Sequence, residues 1–206
     1  MQMARLNLLI AAIFTTLLLT SGVMAQEDSK NEVSVQGTVF FTNDTTGNGL
    51  TQRTTNSGGL LVSYRHHLTR LLSADGSYGY TRNTFQNLTS AGASNIQSNA
   101  HQVTGALVLN SPWKLSLLKP FALAGTGVLN FDPTGNPGGL VAGASGQNKG
   151  VFLYGAGADI DLNSRFAFRL EYRGLVYDRP DFGIAALNSG RTTHTAQPSA
   201  GFLVRF

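Results

Sequence analysis

Apolar and polar residues alternate with period two through most of this chain, and the alternation is clearest in Arg165–Tyr177. Phe166, Phe168, Leu170, Tyr172, Gly174 and Val176 share one parity; Ala167, Arg169, Glu171, Arg173 and Leu175 share the other. Period two belongs to a strand, whose successive side chains point to opposite faces. A helix would set Arg169 and Arg173 near Phe166 and Leu170 and break its apolar stripe. Three ions on one face cannot meet an ordinary apolar core, because unpaired buried charge is too costly. That face meets water or other charges. The segment is also near the ~9–11 residues a tilted strand needs to cross a bilayer. It predicts a membrane barrel strand with aromatics toward lipid and ions toward the lumen.

The same pattern recurs along the chain. Val33–Asn43 places Val33, Val35, Gly37, Val39 and Phe41 on one face and Ser34, Gln36, Thr38 and Thr42 on the other, with Phe40 out of pattern. Ser57–His66 sets Leu60, Val62 and Tyr64 outward and Ser63 and Arg65 inward, with Leu61 out of pattern. Leu71–Asn83 alternates Leu72, Ala74, Gly76, Tyr78 and Tyr80 with Ser73, Asp75, Ser77, Gly79 and Thr81. Asn99–Leu109 and Gly150–Leu162 alternate likewise, the latter with Asp159 and Asp161 inward. Pro120–Phe131 is apolar on both faces, so its facing stays open. Thr192–Phe206 ends the chain with Phe202, Val204 and Phe206 outward and Leu203 and Arg205 inward. Pro198 lies inside it, where a missing N–H removes a ladder bond, and is expected at a bulge or near the rim.

Eight strands result, and their connections alternate in length. Asp44–Asn56, Gln86–Ser98, Asp132–Lys149 and Asp178–Arg191 read as long loops rich in Thr, Asn and Gly. His67–Arg70 and Asn163–Ser164 read as short turns, and Asn110–Lys119 as a medium one. Outer-membrane barrels show this asymmetry, with short periplasmic turns and long external loops. The expected fold is all-β, an eight-stranded antiparallel up-and-down transmembrane barrel.

Composition narrows the function classes. Charged residues make up only 13% of the chain, against ~25% in soluble domains. Residues 1–25 read as a cleaved signal peptide: Arg5, an apolar run over Leu6–Leu19, and Val23-Met24-Ala25 before the cut. Residues 26–206 then form one barrel domain. No later apolar run could span as a helix, so a spanning protein must be a barrel. There is no cysteine, hence no disulfide. The small positive charge of the remainder is interspersed with apolar residues, so nucleic acid is not an expected partner.

Candidate chemistry sits on the inward parity. Arg65, Asp75, Asp159, Asp161, Arg169, Glu171, Arg173 and Arg205 are expected in the lumen. They read either as an ion path or as a salt-bridge network filling a narrow interior. Balanced sign and the small bore of eight strands favour the network, whereas a selective pore tends to carry rings of one sign. Tyr64, Trp113, Phe121 and Phe166, with Phe206, are expected in an aromatic belt at the turn side. Tyr78 and Tyr80, with Phe41, are expected in one at the loop side. His66, His67, His101 and His194 fall near strand ends without metal-ligand spacing. No histidine has a serine two residues on, and Gly143–Gly150 lacks the spacing of a phosphate loop. No catalytic site, metal or cofactor is expected.

Three stretches carry a resemblance. Gly-Ala-Gly-Ala-Asp at 155–159, Arg-Leu-Glu-Tyr-Arg at 169–173 and the terminal Pro-Ser-Ala-Gly-Phe-Leu-Val-Arg-Phe are similar to the small eight-stranded outer-membrane β-barrel family. That group includes the transmembrane domain of outer-membrane protein A and opacity-type surface antigens. The resemblance implies the bacterial outer membrane, a monomer, and outer-membrane lipid and lipopolysaccharide as surroundings. It also implies that Phe202, Val204 and Phe206 act as the signal read by the barrel-assembly machinery. Three functions stay open: a non-catalytic structural or surface-interaction barrel, a small channel, and a soluble lipocalin-like binder. Terminal Phe206, the Arg169–Glu171–Arg173 face and the loop asymmetry favour the membrane.

Overall fold

A computed structural model describes residues 30–47, 50–89, 92–113, 117–134 and 143–206; the signal segment at 1–25 lies outside them. Ten strands follow in order: β1 (Asn31–Thr42), β2 (Thr45–Gly47), β3 (Leu50–Thr54), β4 (Ser57–His67), β5 (Leu72–Thr89), β6 (Gly92–Asn110), β7 (Leu118–Pro133), β8 (Gln147–Asp161), β9 (Phe166–Asp178) and β10 (Thr192–Arg205). Every pairing is antiparallel. Eight strands form the ring β1-β4-β5-β6-β7-β8-β9-β10, which β10 closes on β1. The remaining two, β2 and β3, make a hairpin attached through β3 to the upper part of β5.

That hairpin corrects two expectations. Much of Asp44–Asn56 is strand rather than loop, and most of Gln86–Ser98 is the continuation of β5 and β6. Threonine and asparagine suit an exposed, two-sided polar ladder, and such a ladder carries no apolar parity to announce it. Between Thr54↔Phe85 and Gly59↔Thr81 the register along β5 slips by one residue. The slip moves the inward parity from Gln52 and Thr54 to Leu61, Ser63 and Arg65.

The strands are staggered. Following cross-strand partners around the ring from Glu32 passes Arg65, Asp75, Ala106, Gly125, Leu153, Leu175 and Thr195, and arrives at Thr42. The path closes ten residues further up β1, so the strands tilt and residues level with one another lie far apart in sequence.

Facing follows parity. Phe40 and Leu61, the out-of-pattern residues, point into the lumen and are buried there. On β7 the inward set is Phe121, Leu123, Leu129 and Phe131. Phe121 is therefore not an interface aromatic as its sequence position suggested; it is 5% exposed inside the barrel. Tyr64, Tyr78, Phe166, Phe202 and Phe206 are exposed on the outside, Tyr80 is half-exposed, and Trp113 is exposed in the β6–β7 connection.

Pro198 sits neither at a bulge nor at the rim. The β1–β10 register is the same at Thr38↔Ser199 and at Phe41↔Ala196, and only the pairs between them are missing. On its other side Pro198 pairs in register with Tyr172. The Thr38 hydroxyl donates to the Pro198 carbonyl at 2.9 Å, tying the gap from within.

The two ends of the barrel differ. Asn31 and Phe206 exchange backbone hydrogen bonds at 3.1 and 2.9 Å, so the first described strand and the last meet at the turn end. There the Asn163 side-chain oxygen accepts the amides of Arg165 and Phe166 at 2.8 Å each, closing the β8–β9 turn. At the other end the β9–β10 connection folds back over the mouth and carries a 3-10 turn at Ala185–Leu187.

Candidate functional site

The lumen is the one place where this chain concentrates buried chemistry, and it is layered. In the turn half, five cations meet five carboxylates. Arg169 donates to Asp159, its direct neighbour across β8–β9, at 2.7 Å, and to Glu32 at 2.7 Å. Arg205 bonds Glu32 at 2.9 Å and Asp161 at 2.6 Å. Lys119 closes the rim on Asp161 at 2.7 Å, and His67 lies 3.2 Å from Glu32. Higher up, Arg65 donates to Asp75, its neighbour across β4–β5, at 3.2 Å. Arg173 binds Glu171 two residues before it and reaches across the bore to Ser77 at 2.6 Å and Asp75 at 3.4 Å. Arg65, Arg169 and Arg173 are all within 1% of full burial.

Phe121 lies against a cation of each cluster. The Arg65 and Arg169 guanidinium carbons lie 4.3 and 5.1 Å from the centroid of its ring. A guanidinium is weakly hydrated and is attracted to aromatic faces, so one ring stabilises both cations without adding a charge.

All eight lumen residues named from the sequence point inward, with Asp161 half-exposed at the rim. The partners differ from those their sequence order suggested. Glu171, two residues from both Arg169 and Arg173 in the sequence, pairs with Arg173 and, at 3.8 Å, with Arg65, while Arg169 pairs with Glu32 and Asp159. Glu32 and Lys119 were missed. Glu32 lies one residue before the expected first strand, yet it continues the inward parity of Ser34, Gln36 and Thr38, and that signal was in the sequence.

Above the ions lies a layer of hydroxyls and amides. Ser34 shares a hydrogen bond with Ser63 at 2.8 Å, Ser77 with Thr104 at 2.8 Å, and Ser199 donates to Gln36 at 3.0 Å. The loop half is apolar: Phe40, Phe85, Ile96, Leu129, Phe131, Val151, Leu153, Leu175 and Tyr177 form one cluster. Phe182 and Leu187, from the β9–β10 connection, complete it from above. Among the described residues no group of His, Asp and Glu could hold a metal.

The chain matches the family described as outer membrane protein beta-barrel domain over residues 13–206. It belongs to that family. Outer-membrane barrels of known structure share its fold. The outer membrane protein OprG from Pseudomonas aeruginosa superposes with a TM-score of 0.59 at 13% identity, covering 85% of this chain and 95% of that one. Neisserial surface protein A gives 0.60 at 13% identity, covering 88% and 100%. The outer membrane protein AlkL in lipid bilayers gives 0.55 at 14% identity, covering 89% and 93%. No curated protein sequence matches this one. The family places this barrel in the bacterial outer membrane, and the apolar outer faces of its strands are the lipid-facing band.

Proposed function

We propose that this outer-membrane barrel is a non-catalytic, non-conducting monomer that displays its loop end to the outside as an interaction surface. The observation that carries this reading is the filling of the lumen. A neutral ionic network occupies the turn half and an aromatic cluster occupies the loop half. Charges that pair with one another compete with a passing ion for every partner, and an apolar cluster packs above them. The short turns then lie in the periplasm and the long connections outside. Outer-membrane lipid and lipopolysaccharide surround the band, and Phe206, with Val204 and Phe202, serves recognition by the assembly machinery.

A small channel is the second reading. Its support is a set of buried polar atoms without a hydrogen-bond partner: the side-chain amides of Gln102 and Gln197 in the middle layer, and Arg65 Nη2, Arg169 Nη1 and Glu171 Oε2 in the ion network. Such groups take up water where they can. Planar-bilayer recording decides between the two. The sealed barrel gives no steady conductance; reproducible single-channel steps would overturn it.

A further inference from the structure

The β9–β10 connection holds two features that a passive plug does not need. Phe182 is the one non-glycine residue with positive φ among the described residues, at 53°, and it is followed by Gly183 at 77°. A phenylalanine in this region is strained, and such strain persists only where the surroundings enforce it. Here the enforcement is a latch on β8 and the residues before it. The Gln147 side-chain oxygen accepts the Asp181 amide at 3.0 Å, and its side-chain nitrogen donates to Asp181 at 2.9 Å. The Ser145 amide and hydroxyl both donate to the Phe182 carbonyl, at 3.0 and 3.2 Å. The reward is burial: the Phe182 ring, 1% exposed, packs edge-on against Phe85 at 5.3 Å in the roof of the apolar cluster.

The second feature is Arg179. It is 5% exposed, and among the described residues it makes no direct ion pair, the Asp44 carboxylate acting on it only from beyond contact distance. Its two terminal nitrogens donate to the Asn43 carbonyl and to the Thr45 and Thr54 hydroxyls at 2.8 to 3.0 Å, and its Nε is left without an acceptor. Burial pushes the guanidinium below its usual pKa. Its charge centre lies 5.9 Å from the centroid of Phe85, the same ring that Phe182 packs on. A buried cation without a contacting carboxylate and with one N–H unpaired is costly, and a carboxylate at hydrogen-bond distance is the group that relieves it.

From these two features we propose that the mouth of the barrel is a binding site for a small amphipathic carboxylate, an aryl or short alkyl acid. Its apolar end takes the place of the Phe182 ring, and its carboxylate pairs with Arg179. Phe182 is an internal occupant of that site, held by the Gln147 and Ser145 latch until the ligand displaces it. The ion network beneath the chamber makes this a binding site rather than a passage. The proposal deepens the surface-interaction reading and rests on it for the external placement of the loop end.

The test uses the full barrel in lipid nanodiscs, titrated calorimetrically with phenylpropionate and with its uncharged counterpart phenylpropanol. Phe182→Ala removes the competing ring, so phenylpropionate is expected to bind about tenfold more tightly than to wild type. It should also exceed phenylpropanol by about tenfold, the charge-assisted bond being the difference. Phe182→Ala with Arg179→Gln should lose that preference and keep the apolar binding. Gln147→Ala frees the latch without touching the chamber and should also tighten binding; it replaces Phe182→Ala if that variant does not fold. Equal binding of acid and alcohol to Phe182→Ala, or no binding of either, would overturn the proposal. Conductance plays no part in these readouts, so a barrel that conducts but binds, or seals but does not bind, separates the two readings.

Discussion

Phe121 covers Gly157. The two residues are direct partners across β7–β8, and a Cβ on Gly157 would sit 2.5 Å from Phe121 Cζ. A side chain at 157 would displace the ring that both Arg65 and Arg169 contact. It would also meet the Leu170 carbonyl at 2.5 Å, and backbone cannot give way. Gly157→Ala is therefore expected to destabilise the barrel by about 1–3 kcal/mol, the cost of overpacking. Urea unfolding in lipid vesicles measures it; an unchanged midpoint would show that the ring is free to move.

Removing the ring itself should be worse. Phe121→Ala leaves a cavity beside two like charges, and a buried Phe→Ala truncation costs ~3–5 kcal/mol. Phe202→Ala, on the lipid face where it is 61% exposed, leaves no cavity because lipid fills the space. The two variants compared in one unfolding series should differ in that order.

Within the network, depth should set the cost. Glu171→Ala leaves Arg65 and Arg173 buried with less compensation, and breaking a buried pair costs ~3–5 kcal/mol. Asp161→Asn loosens Arg205 and Lys119 at the half-exposed rim, where a pair contributes only about 0–1 kcal/mol. Equal losses for both would mean that the bore is wetter than its packing implies.

Pro198→Ala restores an N–H facing β1, at the place where the ladder is interrupted without any change of register. The new amide is expected to be protected from hydrogen exchange. Net stability should stay within about 1 kcal/mol of wild type, because the bond gained is offset by greater freedom of the unfolded chain. Rapid exchange at residue 198 would mean that the two strands are not in bonding distance there.

Topology can be read with protease. Arg191 is exposed between β9 and β10, whereas Arg70 and Arg165 are exposed at the turn end. Trypsin added to intact cells should cut after Arg191 and spare Arg70 and Arg165. The opposite pattern would invert the barrel.

The sequence by itself determined the strand character and most of the facing, because a membrane barrel writes lipid and lumen on alternate residues. Wherever one parity was polar, as on β9 with Arg169, Glu171 and Arg173, the side followed at once. Alternating connection lengths then indicated the topology. The tertiary structure decided what parity leaves blank. β7 is apolar on both faces, so only closure of the ring against Gly157 turned Phe121 inward. The partners of each ion depended on the stagger, which brings Asp75 of β5 within reach of Arg173 of β9, nearly a hundred residues later in the chain. The ladders of β2, β3 and the upper β5 and β6 are mostly polar and turn only isolated residues such as Phe85 and Ile96 into the apolar cluster, so composition alone reads them as loops. The burial of Phe182 and Arg179 rests on the fold-back of one connection over the mouth. No local pattern encodes that, because its partners Phe85, Thr54 and Gln147 come from three separate strands.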